Sequence, residues 1–163
     1  MAMSFTASEI FEIAEQIERN GAKYYHDAAT VCVDKSMRQF FSQLEEMEKN
    51  HERIFVEMRK NLEEQTDDAT VFDPDNEMAY YLRAMAKSAG WEGKAMPHAE
   101  FSGHETPIQI IKTAIEAERA SINYYLGLKE FVSAQDEEKL DKIIKEEMGH
   151  IVTLQKHLEQ LKN

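Results

Sequence analysis

The sequence predicts an all-α protein built as a duplicated helical hairpin, two copies of which pack into a four-helix bundle with a long crossover containing a short helix. Three observations predict it. The chain has six glycines and three prolines in 163 residues, and all three prolines fall between Pro74 and Pro107, so the flanking segments are long and uninterrupted. Within those flanks the apolar residues recur three and four positions apart. The two flanks also repeat each other.

Taken in order, Thr6-Ala7-Ser8-Glu9 reads as a capping box that opens the first helix. Ile10, Ile13, Ala14 and Ile17 then mark its inner face, and the pattern continues through Tyr24-Tyr25 to about Val31. The second helix is expected from near Asp34 or Ser36 to about Glu64, with Phe40, Phe41, Leu44, Met47, His51, Phe55 and Met58 as its stripe. Residues 65–105 change character. A short helix follows Asp73-Pro74, with Met78, Tyr81, Leu82 and Met85 on one face and an end before Gly90. No period holds from Trp91 to His104, which reads as ordered loop. Thr106-Pro107-Ile108-Gln109 is a second capping box with proline at the first helical position, and the last helix follows Ser133.

A shift of 100 residues lays Thr6 on Thr106, Ala14 on Ala114, Glu18 on Glu118, Arg19 on Arg119 and Tyr24-Tyr25 on Tyr124-Tyr125. A shift of 99 lays Leu44 on Ile143, Glu48 on Glu147, His51 on His150 and Phe55 on Leu154. The period is too long for a solenoid unit, so the repeat is a helical hairpin. Residues 1–163 are expected to form a single domain.

The net charge of -12 gives no electrostatic footprint for nucleic acid and repels an anionic bilayer, so neither partner is expected. Cys32 is the only cysteine, which rules out an intramolecular disulfide and any Cys-x-x-Cys metal or redox pair. No apolar run approaches the ~20 residues of a membrane span, and the N-terminus lacks a signal-peptide pattern. A cytoplasmic protein is expected.

Three residues along a helix is roughly 300° of rotation, so Glu48 and His51 share a face, as do Glu147 and His150. Alone, either pair is best explained as an exposed charge pair. Each pair, however, lies within its helix's apolar stripe, His51 between Met47 and Phe55, and His150 between Glu146 and Leu154. Glu18 and Glu118 also follow apolar positions on the inner faces of their helices. Burying one uncompensated carboxylate costs several kcal/mol, and four facing one interior cannot pair among themselves. Two divalent metal ions would neutralise four carboxylates, with two neutral imidazoles completing the donor set. The candidate metal ligands are therefore Glu18, Glu48, His51, Glu118, Glu147 and His150. A metalloprotease zinc site would need His-Glu-x-x-His, which the chain lacks, and oxygen and nitrogen ligation without thiolate suits iron or manganese better than structural zinc.

At Ala14-Glu15-Gln16-Ile17-Glu18 with Tyr24-Tyr25, Glu48-x-x-His51, Ala114-Ile115-Glu116-Ala117-Glu118 with Tyr124-Tyr125, and Glu147-x-x-His150, the sequence resembles the rubrerythrin family of ferritin-like di-iron carboxylate proteins. The resemblance covers all four long helices. It implies a ferritin-like bundle holding two iron ions, with manganese or zinc as other occupants. Glu18 and His51 would be terminal ligands of one ion, Glu118 and His150 of the other, and Glu48 and Glu147 would bridge. Two departures stand out: Ser121 takes the place of a seventh glutamate ligand, and the cysteine pairs of the family's rubredoxin domain are missing.

The implied activity is reduction of hydrogen peroxide or oxygen with electrons from an external electron-donor protein, by a chain that forms a homodimer. Alternatives are an iron-oxidising storage protein, against which the helical insert at 75–89 and the lack of a further helix after Asn163 argue, and a non-redox metal-binding bundle. Tyr25 and Tyr125, seven residues after the terminal glutamates, are candidates to hydrogen-bond ligands or donate protons, with Tyr24 and Tyr124 as the fallback. His26, His98, His104 and His157 have no partner at metal-binding spacing, and the methionines and Cys32 read as core.

Overall fold

A computed structural model describes residues 7–65, 77–88 and 101–162, and among these all regular structure is helical. The helices are α1 (Ala7–Val31), α2 (Lys35–Gln65), α3 (Glu77–Ser88), α4 (Pro107–Leu128) and α5 (Ala134–Lys162), with a single 3-10 turn at Lys129–Phe131 after α4. The Thr6 cap, the start at Asp73-Pro74 and the expected loop from Trp91 through Glu100 lie outside the described residues.

Local chemistry sets the helix starts. The Asp34 carboxylate accepts from Met37 N at 2.8 Å and opens α2. Thr106 and Gln109 form a reciprocal capping box ahead of Pro107 in α4. The Ser133 hydroxyl accepts from Asp136 N at 3.2 Å at the head of α5.

The buried residues fall into two apolar clusters. One holds Ile10, Ile13 and Ile17 of α1, Phe55 and Met58 of α2, Ile122 and Tyr125 of α4, and Leu140 and Ile143 of α5. The other holds Tyr25 and Ala28 of α1, Phe41 and Leu44 of α2, Ile111 and Ala114 of α4, and Leu154 and Leu158 of α5. Read along each helix, α1 and α5 pass from the first cluster to the second, while α2 and α4 pass from the second to the first. Consecutive helices of a hairpin are therefore antiparallel, but α2 and α4 run the same way. The segment joining them has to return along the bundle, which is why the crossover is long.

α3 lies within that crossover and packs against α4. Leu82 and Ala86 enter the first cluster, and the Tyr81 hydroxyl donates to the Asn123 carbonyl at 2.9 Å. The approach is close enough to need glycine: a Cβ on Gly127 would collide with the Tyr81 ring at Cε1.

One position of the expected α2 stripe departs from the sequence reading. Met47 is 37% exposed, whereas Leu44, Glu48, His51, Phe55 and Met58 are buried. Position 47 lies one residue off that stripe, on the shoulder of the helix. Cys32 is half-buried against the second cluster. Glu15, 3% exposed, is paired in bidentate fashion with Arg59 at 2.6 and 3.1 Å, while the repeat has Ile115 and Leu158 in those places.

Candidate metal centre

Each long helix carries its polar residues at the level where the two apolar clusters meet. Glu18 stands between Ile17 and Ala22, Glu118 between Ala114 and Ile122, Glu48 and His51 between Leu44 and Phe55, and Glu147 and His150 between Ile144 and Leu154. All six sequence-predicted residues are buried, and the structure brings all six together. Their donor atoms form two groups, Glu18, Glu48, His51 and Glu147 on one side and Glu48, Glu118, Glu147 and His150 on the other, with all atoms of a group within 4.8 Å of one another. Glu48 and Glu147 belong to both.

Glu147 faces both histidines. Its Oε1 lies 2.9 Å from His51 Nδ1 and its Oε2 lies 2.8 Å from His150 Nδ1. Glu18 Oε2 is 3.4 Å from His51 Nδ1, and Glu48 Oε1 and Glu118 Oε1 are 3.2 and 3.3 Å from His150 Nδ1. The imidazole rings lie 5.9 Å apart, nearly parallel. Despite these distances, Glu18 Oε2, Glu48 Oε1, His51 Nδ1, both oxygens of Glu147 and both ring nitrogens of His150 are buried with no hydrogen-bond partner among the described residues. Six of these seven atoms point toward one another without hydrogen-bond alignment. Buried polar atoms are seldom left so, and convergent oxygen and nitrogen lone pairs are what a pair of divalent cations satisfies.

Outer contacts hold the Glu18 and Glu118 carboxylates. Tyr25 OH of α1 donates to Glu118 Oε1 of α4, and Tyr125 OH of α4 donates to Glu18 Oε1 of α1. The adjacent pair ties the helices together, Tyr24 OH donating to the Ile110 carbonyl and Tyr124 OH to the Ile10 carbonyl, each at 2.8 Å. The repeat is thus kept in three dimensions. The Ser121 hydroxyl turns back to the Ala117 carbonyl at 3.1 Å.

The electrostatics follow from crowding. Burial first, then the charges of Glu147 and Glu118, hold the Glu48 carboxyl well above the usual carboxylate range. Glu147 is pushed up to about 8 by burial and by Glu118 and Glu18. Burial pulls His51 down, yet the carboxylates of Glu147 and Glu18 outweigh it and raise the imidazole to about 11. His150 is raised by Glu118, Glu147 and Glu48 against the same burial. Burial and the nearby Glu118 hold the Tyr25 phenol well above its ordinary value, and burial and Glu18 do the same to Tyr125. Both phenols keep their protons and act as hydrogen-bond donors.

Gly21 of α1 makes room for Glu48: a Cβ there would stand 2.9 Å from Glu48 Oε2 and 3.3 Å from its Cδ. Alanine at position 21 would favour the helix by about 1 kcal/mol but push the carboxylate aside. Gly21→Ala is therefore expected to leave the thermal midpoint of the metal-free protein unchanged or higher while weakening metal binding on the order of tenfold. Calorimetric titration with manganese(II) alongside thermal melts checks this. Unchanged affinity would show that Glu48 relaxes freely.

Sequence reasoning missed one contact. Glu146 Oε2 lies 2.8 Å from His51 Nε2, across the bundle from α5 to α2. The available signal was a difference between the repeats just before the histidine motifs, Met47 against Glu146.

No known protein family profile matches the chain, and no curated protein matches it. Among solved structures it is similar to a Thermotoga maritima protein given the provisional description of a ferritin-like diiron-carboxylate protein, with a TM-score of 0.66 and 19% identity over 98% of both chains. The fold is that of a ferritin-like helical bundle. At its centre lies a buried cluster of four glutamates and two histidines with the donor set of a dimetal site. Among the described residues no helix is long and apolar enough to cross a membrane.

Proposed function

We propose that the chain holds two iron ions and reduces hydrogen peroxide or oxygen with electrons from a separate donor protein. The observation that carries this reading is the pair of overlapping donor groups sharing Glu48 and Glu147, whose buried atoms lack other partners. Glu18 and His51 would complete one metal position, Glu118 and His150 the other, with Glu48 and Glu147 common to both. When bound, two ferrous ions would supply the two electrons that, with two protons, reduce hydrogen peroxide to two waters.

The chain's own residues do the rest. Tyr25 and Tyr125 each engage one oxygen of a terminal carboxylate, which fixes its orientation. Gly21 leaves open, beside Glu48 Oε2, the space that a Cβ would fill, which gives that carboxylate room to shift. The apolar clusters above and below keep bulk water from the buried cluster. These 163 residues hold a single cysteine, Cys32, which fits the proposed supply of electrons by a separate donor protein.

Anaerobic loading with ferrous iron followed by peroxide tests the reading. Uptake of two iron ions per chain, an optical change and consumption of peroxide are expected. Metal uptake with no optical change and no peroxide consumption would overturn the redox assignment and leave a metal-binding bundle. Size-exclusion chromatography is expected to show a dimer, and elution as a cage of many subunits would favour iron storage instead.

A further inference from the structure

The two halves of the cluster differ at the outer nitrogens of their histidines. His51 Nε2, the ring nitrogen turned away from the four carboxylates, lies 2.8 Å from Glu146 Oε2. His150 Nε2 is equally buried and has no hydrogen-bond partner among the described residues. The shift of 99 that lays Glu48 on Glu147 and His51 on His150 lays Met47 on Glu146. The second hairpin thus gives the first hairpin's histidine a carboxylate, and at the matching place the first hairpin has a thioether with no comparable acceptor strength.

We propose that Glu146 is a positioning residue that makes the two metal positions unequal, the His51 position binding tightly and filling first, and the His150 position binding weakly and exchanging. This rests on the dinuclear reading above. A carboxylate on Nε2–H keeps the imidazole proton on that nitrogen and turns the Nδ1 lone pair toward Glu18 and Glu147. It also fixes the ring and strengthens it as a donor. Partners of this kind are typically worth 10–100-fold in metal affinity. His150 has the same inward environment without that support. Glu146 is itself well suited to testing: its side chain is 32% exposed, and among the described residues its carboxylate pairs, beyond His51, with Lys142 at 3.8 Å, so its removal opens no core cavity.

Cobalt(II) is the probe, followed by calorimetry and absorbance. The wild-type chain is expected to take up two ions in steps separated by about 10–100-fold in affinity. Glu146→Ala is expected to weaken the tight step by that factor, so that the two merge, while Glu146→Gln, which keeps an acceptor, restores part of the separation. Met47→Glu is expected to tighten the weak step instead. Proton NMR of the cobalt form gives a readout that a structural role would not move: one hyperfine-shifted, slowly exchanging ring N–H, from His51, present in the wild type and lost in Glu146→Ala. Indistinguishable steps in the wild type, or a Glu146→Ala chain with an unchanged titration and an intact N–H signal, would overturn the proposal. A wild-type chain that takes up fewer than two cobalt ions would overturn the dinuclear reading itself. If Glu146→Ala does not fold, the opposite shifts expected of Glu146→Gln and Met47→Glu decide the matter.

Discussion

Glu147→Ala is expected to abolish binding of two metal ions per chain, and Glu48→Ala to do the same less severely, whereas Glu18→Ala should retain one ion. The order follows from how donors are shared. Glu147 and Glu48 belong to both four-residue groups, while Glu18 belongs to one. Losing a shared carboxylate leaves each position with three protein donors and leaves three carboxylates to balance two divalent ions. Glu147 ranks first because both its oxygens are buried without partners and each faces a different histidine. Glu48 commits Oε1 in that way, and its Oε2 lies toward Gly21. The variants should still fold, since each removes one of several mutually repelling buried carboxylates. Metal analysis after equilibrium dialysis gives the stoichiometry, and circular dichroism confirms the helix. Retention of both ions by either shared-ligand variant would contradict the bridging assignment.

Much of this cluster was legible because duplication makes a weak local signal strong. Glu48-x-x-His51 alone is an ordinary helical pair, and its meaning came from Glu147-x-x-His150 and from Glu18 and Glu118 on the facing helices. The helix starts were legible for local reasons, since Thr106, Asp34 and Ser133 cap with their own side chains. Partnerships between helices were not. Periodicity tells which residues face inward but not what stands opposite, so the Glu15–Arg59 pair and the reach of Glu146 to His51 needed the packed bundle. The placement of Met47 failed for a related reason. A helix stripe has shoulders, and a methionine one position off the buried row satisfies the same pattern while lying half in solvent. The tyrosines show the opposite case: seven residues is close to two full turns, so Tyr25 and Tyr125 were placed near the glutamates, yet each crosses to the glutamate of the other hairpin.

Metal is expected to raise the thermal midpoint of the protein substantially and to reverse its dependence on pH. In the metal-free chain Glu147 is raised from its ordinary 4.5 to about 8 and His51 from 6.5 to about 11. A group whose folded value lies above its unfolded one contributes stability that is complete below the unfolded value and is lost as pH rises through the folded value. For Glu147 that loss is spread from 4.5 up to about 8 and for His51 from 6.5 up to about 11, so the metal-free protein should melt at progressively lower temperature between about pH 6 and about pH 9. Cations change the sign because they require the same groups deprotonated. Binding then releases protons and tightens as pH rises. A metal present at about a thousand times its dissociation constant adds about 4 kcal/mol, or roughly 8–16 °C for a chain of this size. The gap between metal-bound and metal-free melting curves should therefore widen with pH. Scanning calorimetry with manganese(II) and with chelator across that range measures both curves and the gap. A metal-free midpoint that climbs with pH would contradict the electrostatic account of the cluster. A midpoint that metal leaves unmoved at every pH would mean that the six residues hold protons rather than ions.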